Sequence, residues 1–526
     1  MNKKICLCFL AYLCLFGSKL YGQVASSTTT GDTRVTAPSS LVIHGEIISK
    51  TPVDTVTAVF WEHYVDSKKG ITKTETIPVA TEKGNVFSGT MGSRGFCIKT
   101  PSFSGMAYLS LRYPGGTLWK RFHITAGDTV RTIIDLDRAA MLFSGPDAES
   151  YRVQYQLAME ELLAKKRTVP VMFTANREAF LQNDGYDAAY KKAASLSKTG
   201  LYPLMRFVEG PEDKYELIKT LLPEGQVSVS ENRLEEYRDK IPQLLHGVLR
   251  ADLTAKRLNR LLDSFNRYMD GGEKYKSLYG ERILPLTEIA FADEVVANSS
   301  DYTDLLLLRS LIISRMERKS PESLFENYAP PVRDYLTVKF MARYHRQFED
   351  VNERFAQAEE KVQAEWIKHV LANMASSMNT GKPFLDVALE DIDGEEVHLN
   401  ELRGKAVFID FWFTGCKACV LYHENQMEPL MERFKNDDRV VFVSINTDQS
   451  KKVWKRSLES GKYTSQTALN LHLGDMGNKL LEYYRIQSFP VQMMLDSSGN
   501  VFRSGLQRKS VGDMSALLRK AKNPSW

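Results

Sequence analysis

Cys416 and Cys419 stand three positions apart, directly after the segment Val407-Phe408-Ile409-Asp410-Phe411-Trp412-Phe413-Thr414-Gly415. The apolar, β-branched run predicts a buried strand, Gly415 breaks it, and the amphipathic stretch from the cysteines to Phe434 predicts a helix. Two residues between the thiols put Cys416 at the mouth of that helix and Cys419 one turn in, within disulfide reach and unequally exposed. Unsatisfied N–H groups and the positive end of the helix dipole favour a thiolate on Cys416. Such a thiolate attacks a partner disulfide, and Cys419 then resolves the mixed disulfide. The strand contributes Asp410 as a candidate proton acceptor for Cys419.

Asp410-Phe411-Trp412 followed by Cys416-x-x-Cys419 resembles the active-site strand and helix of thioredoxin. From about Gly381 to the C-terminus the sequence resembles the extracytoplasmic TlpA/ResA-like thiol–disulfide oxidoreductases. Lys382-Pro383-Phe384 opens a hairpin turning at Asp393-Gly394, and Leu399 to Gly404 lead into the active-site strand. Val440 to Asp448 resembles the next parallel strand. Tyr484 to Pro490, then Val491 to Leu495 and the turn Ser497-Ser498-Gly499-Asn500, resemble the family's cis-proline loop and closing hairpin. The resemblance implies an α/β thioredoxin-like fold over 380–526. It makes Cys416 the nucleophile, Cys419 the resolving thiol and Asp410 the proton carrier. It further implies a cis Phe489–Pro490 bond beside Cys416 that positions an extended substrate. Trp412 and Phe413 read as core and rim aromatics, with Trp412 shielding the disulfide. No cofactor is needed, because electrons travel as sulfur–sulfur bonds.

The chain departs from that family at Lys417-Ala418, where many relatives carry a proline. It departs again at Val420-Leu421-Tyr422-His423-Glu424, which lacks the usual acidic residue and proline. Lys417 favours the thiolate and pushes the potential toward oxidising values, so the direction of electron flow stays open. A zinc site on Cys416, Cys419 and His423 would lack the second Cys/His cluster of structural zinc, and no metal is expected. Peroxiredoxins are resembled less well, since Thr414 lies two rather than three positions before the cysteine. His423 and His472 read as packing or surface residues.

The N-terminus has Lys3 and Lys4, an apolar run from Ile5 to Phe16, then small and polar residues to Gln23. This is the pattern of a secretory signal peptide over residues 1–22, too short in its apolar part to span as a membrane helix. The bulky Leu13 before Cys14 argues against lipid attachment, and a retained anchor is the less favoured alternative. The expected location is the periplasm or cell envelope. A Ser/Thr/Gly-rich linker follows over 23–36. A net charge of +4 on 526 residues points to no nucleic acid and no anionic surface. Once Cys6, Cys8 and Cys14 leave with the signal peptide, Cys97, Cys416 and Cys419 remain. A single close pair in an exported chain is a working pair rather than a structural framework. Cys97, between Phe96 and Ile98, is expected to be a buried inert thiol, with a resolving role toward Cys416 as the alternative.

Short alternating segments at Leu41–Ile48, Thr55–Phe60, Asn85–Thr90, Met106–Leu111, Trp119–Ile124 and Val130–Leu136 predict a β-sandwich over 37–145. That region resembles the β-rich domains often joined to TlpA-like modules. Three- and four-residue apolar spacing in Tyr151–Arg167, Ser230–Arg250, Tyr302–Arg318 and Phe348–Met378 predicts a helical domain over 146–379. Such a domain could grip substrate or form a dimer. The whole reads as a multidomain, exported thiol–disulfide oxidoreductase acting on protein thiols and disulfides. The favoured direction is reduction, with electrons from a membrane-bound donor. The alternative is a non-catalytic envelope scaffold that uses a thioredoxin-like module to hold a partner.

Overall fold

The computed structural model describes residues 37–523, apart from 67–70, 85–91, 183–185, 199–203, 224–227, 271, 349, 379, 475–476, 485, 487 and 507–508. The expected signal peptide, the linker and the strand expected at Asn85–Thr90 lie outside the described residues. Alternating apolar and polar residues first build β1 (Val42–Ile48), β2 (Thr55–Trp61), β3 (Glu75–Ala80), β4 (Glu82–Lys83) and β5 (Ser93–Lys99). Then come β6 (Met106–Tyr113), β7 (Gly116–Thr125), β8 (Thr129–Asp135) and β9 (Ala140–Ser144). They form two sheets, in the orders β4-β5-β1-β8-β9 and β3-β2-β6-β7. Ile43, Ile98 and Val130 of the first sheet share one apolar core with Ala58, Leu109 and Trp119 of the second, as the inner faces of two stacked sheets do.

Cys97 corrects the sequence reading. It is exposed, whereas Phe96 and Ile98 on either side are buried. Successive side chains of a strand point to opposite faces, so apolar sequence neighbours put this thiol outside rather than inside.

From Ala148 the chain is mostly helical, with long helices at Ala148–Arg167, Gln243–Tyr268, Ser300–Glu317 and Pro330–Tyr344. The helical periodicity over Ser230–Arg250 belongs to two helices, Val229–Glu235 and Gln243–Tyr268. The first ends at Glu235, and the second starts after Pro242, whose missing N–H is no loss at a helix N-terminus. Phe348–Met378 likewise divides into Val351–Lys361 and Glu365–Met378. There Asp334, from a neighbouring helix, accepts hydrogen bonds from the N–H groups of Gln363 and Ala364, both at 2.8 Å. A parallel pair, β10 (Val171–Phe173) and β11 (Arg206–Val208), interrupts the helices. Strands of three residues are too short to register as a periodicity.

The β and helical regions interleave. Val65 and Ile71 pack into the helical core beside Leu258 and Phe265, and Ala148 and Tyr151 pack into the β core. Polar ties reinforce this. Tyr108 Oη donates to the Asn298 carbonyl at 2.7 Å, and Arg343 reaches both Asp66 and Asp304 at 2.7 Å. Lys339 is fully buried, with Nζ donating to the Ser300 carbonyl at 2.7 Å and to Asp304 at 2.6 Å.

The last sheet adds β12 (Leu389–Glu390), β13 (Glu396–Val397), β14 (Ala406–Trp412), β15 (Val440–Asn446), β16 (Leu469–His472), β17 (Val491–Leu495) and β18 (Val501–Ser504). Their order is β13-β12-β16-β15-β14-β17-β18. β14 runs parallel to β15 and antiparallel to β17. Both faces of β14 are covered. Val407, Ile409 and Phe411 pack with Leu480 and Tyr484, while Ala406 and Phe408 pack with Leu430 and Leu518 on the other side. A strand buried on both faces reads as a continuous apolar run, which is why its sequence signal was strong. Among the described residues no helix is long and apolar enough to cross a membrane.

Removing Asp304 strands the buried Lys339 ammonium without its counter-charge. Asp304→Ala is expected to destabilise the chain by on the order of 3–5 kcal/mol, read as a lower midpoint in guanidinium denaturation.

Candidate active site

β14 carries the site to its edge. After Trp412 the backbone turns through Gly415, whose φ of +92° suits a residue without a Cβ. The turn is clasped by Asp448, which follows β15. Its carboxylate accepts from the Thr414 N–H at 3.1 Å and from the Thr414 hydroxyl. The Tyr463 hydroxyl accepts from the Gly415 N–H at 2.9 Å while its ring stacks on Trp412 at 4.8 Å. Cys416 then caps the helix Lys417–Tyr422, its Sγ accepting from the Cys419 N–H at 3.1 Å. Hydrogen bonding to sulfur is stronger when the sulfur is charged, so this contact favours a thiolate once the pair is reduced.

Cys416 and Cys419 form a disulfide with Cα atoms 5.2 Å apart. Both cysteines are buried, Cys416 at 6% exposure and Cys419 at 1%. They share an apolar cluster with Trp412 and Trp454, against which Phe489 packs. The Phe489–Pro490 bond is cis. Phe489 meets the half-exposed Phe413 ring edge to face at 5.3 Å, forming an aromatic rim beside the disulfide. Trp412 itself is fully buried and donates from Nε1 to Ser444 Oγ at 2.7 Å.

Alternation along β14 settles where Asp410 points. Ala406, Phe408 and Trp412 share its parity, and they pack with Tyr422 or with the cysteines, so Asp410 faces the cysteine helix. It is 2% exposed. Burial pushes its carboxyl up to about 7, and a hydrogen bond from Gln492 Nε2 at 2.7 Å opposes part of that rise. Tyr422 lies one turn after Cys419. Burial, and secondarily the Asp410 carboxyl, push its phenol well up, and its hydroxyl rests on Met514 Sδ at 3.2 Å.

The structure therefore brings Cys416, Cys419, Trp412 and Phe489 together, with Asp410 on the same face of the sheet. Lys417 points to the surface. After Tyr422 the helix widens into a π turn over His423–Met427 just before Pro429. His423 is buried there, with Nε2 3.4 Å from Glu428, and burial lowers its imidazole below the usual range. His472 donates from Nε2 to the Asp448 carbonyl at 2.7 Å and stacks on Trp454. Among the described residues no three His, Cys, Asp or Glu side chains converge as a metal site. Sequence reasoning missed Gln492, Tyr422 and Asp448. Gln492 was visible as an amide inside the apolar run Val491–Leu495, whereas the others depend on contacts made only in the fold.

A strand, a turn, a cysteine pair capping a helix and a cis-proline loop in a mixed sheet define a thioredoxin-like thiol–disulfide oxidoreductase domain. Residues 379–518 match the family Redoxin. The chain is 23% identical over 145 residues to the thiol-disulfide oxidoreductase ResA of Bacillus cereus, covering 27% of this chain and 79% of that protein. It is 25% identical over 150 residues to ResA of Halalkalibacterium halodurans, covering 27% and 80%. A thiol:disulfide interchange protein from Bacteroides sp. with a solved solution structure is 27% identical, covering 28% of this chain and 93% of that one, with a TM-score of 0.25.

Asp410 makes stability depend on pH. Its folded value lies above the ordinary carboxyl value, so the stabilisation it contributes is complete at low pH and is lost as pH rises toward and through about 7. Relative to Asp410→Asn, the oxidised protein is expected to lose on the order of 3–4 kcal/mol between about pH 4 and pH 8. Calorimetry of both proteins across that range measures it.

Proposed function

We propose that this chain is an exported thiol–disulfide oxidoreductase that reduces disulfides of protein partners through Cys416 and Cys419. The observation that carries the reading is a disulfide pair whose Cys416 caps a helix, on the same face of the sheet as a buried acid, Asp410, whose carboxyl is pushed up to about 7. A group that changes protonation near pH 7 is suited to moving a thiol proton.

In the reducing direction the Cys416 thiolate attacks a partner disulfide, forming a mixed disulfide and releasing the partner's second sulfur as a thiolate. Asp410 takes the proton of Cys419. The Cys419 electron pair then forms the bond to Cys416 Sγ, and the bond from Cys416 to the partner breaks with its pair on the partner. The partner leaves as a dithiol. The enzyme is left with the Cys416–Cys419 disulfide, and a membrane-bound dithiol donor restores it. Phe489 and Pro490 line the approach and position an extended segment of the partner, with Trp412 backing the disulfide.

The remaining assignments belong to the same reading. Residues 1–22 direct export to the periplasm or envelope, and 23–36 are a linker. Residues 37–145 form a β-sandwich domain and 146–379 a helical domain that present the redox domain, 380–526, to its partners. The resemblance of the C-terminal domain to ResA supports the chemistry, and the basic, apolar N-terminal sequence supports export.

Two measurements test the reading. Cys419→Ser is expected to accumulate mixed disulfides with partner proteins, seen as dithiothreitol-sensitive adducts, and Cys416→Ser to accumulate none. Equilibration of the pair with glutathione is expected to give a potential near the roughly −270 mV of thioredoxin. A value near the roughly −120 mV of strong oxidants would reverse the proposed direction. No redox transition would leave the domain as a scaffold.

A further inference from the structure

We propose that Gln492 is the positioning residue for the Asp410 proton, holding the carboxyl in both of its charge states and tying it to the loop that carries Pro490. The proposal rests on the redox reading above and adds a residue to it.

Gln492 lies in β17, two positions after Pro490, among the buried apolar residues Val491, Met493, Met494 and Leu495. It is directly opposite Asp410 in the β14–β17 register. Val491, Met493 and Leu495 face one core of the sheet, while Met494 faces the other, with Phe408 and Tyr422. Gln492 shares the parity of Met494, so it enters the same layer as Asp410. Its side chain is 0% exposed, and Nε2 donates to Asp410 Oδ1 at 2.7 Å. The other end of the amide, Oε1, is buried without a hydrogen-bond partner.

A primary amide inside an apolar strand is unfavourable unless both ends are satisfied. Here the donor end is engaged and the acceptor end is open. An ionised carboxyl needs a donor, a protonated one offers its own hydrogen, and a glutamine amide serves either. With Asp410 ionised, Nε2 donates to it. With Asp410 protonated, half a turn of the amide presents Oε1 to the carboxyl hydrogen. During resolution the proton passes from Cys419 Sγ to Asp410, and the Cys419 electron pair becomes the new S–S bond. Gln492 exchanges donor for acceptor and takes no proton itself. The titratable group facing Asp410 is Tyr422 on the cysteine helix, whose Cys419 is held in the disulfide. β15 brings Ser444 opposite Asp410, and β17 brings Gln492.

The bond to an ionised carboxylate is the stronger of the two states, so removing Gln492 raises the pH at which Asp410 ionises. The test is the rate of reduction of the Cys416–Cys419 disulfide by dithiothreitol across pH, in the full chain, by acid quench, alkylation and mass measurement. The oxidised wild type is expected to show an inflection near pH 7 that Asp410→Asn lacks. Gln492→Met should move that inflection upward by roughly one pH unit. Gln492→Glu keeps the reach of the side chain and should move it further, because a second carboxyl opposes ionisation; it serves if Gln492→Met does not fold. An inflection that Asp410→Asn removes but both Gln492 variants leave in place overturns this inference and leaves the redox reading standing. A wild-type disulfide that dithiothreitol does not reduce overturns both.

Discussion

A carboxyl group in the middle of a doubly covered strand is the constraint on which the C-terminal domain depends. Every residue of β14 is buried, and the six besides Asp410 are apolar, which desolvates its carboxyl from both sides along the strand. Keeping it there requires a complete sheet, with β15 on one side and β17 on the other, and helices sealing the face toward the cysteines. The same enclosure covers the disulfide. A less buried acid would titrate in the ordinary carboxyl range and hold no proton at neutral pH.

The central strand, the turn and the cysteine helix were legible because each signal is local. Six apolar residues around one acid, one glycine and a spaced pair of thiols need no distant partner to be read. The burial of Asp410 was legible for the same reason, as an acid inside that run. The clasp of Thr414 by Asp448 and the proximity of Tyr422 to Asp410 were not, because they arise from strand order and helix placement. Cys97 was misread by judging its neighbours rather than its period: in a strand the residues on either side describe the opposite face. The helix boundaries follow similar logic. Pro242 was visible in the sequence, but the capping of Gln363 and Ala364 by Asp334 comes from a helix about thirty residues away.

The first two regions of the chain share more than a linker. Residues from the β region complete the helical core, and residues from the first helix complete the β core, while Lys339, Asp304, Arg343 and Asp66 form a run of charge between them. The redox domain is tied on at its closing hairpin. There Arg503 donates to the Phe348 carbonyl of the helical region at 2.6 Å.

Trp412 and Trp454 are both fully buried and both belong to the cluster that encloses the disulfide. An indole in contact with a disulfide loses its excited state to it, and regains emission when the sulfurs separate. Among the described residues Trp412 and Trp454 are so placed. The protein thus carries its own optical gauge of electron content, and each turnover would be visible as light without a label.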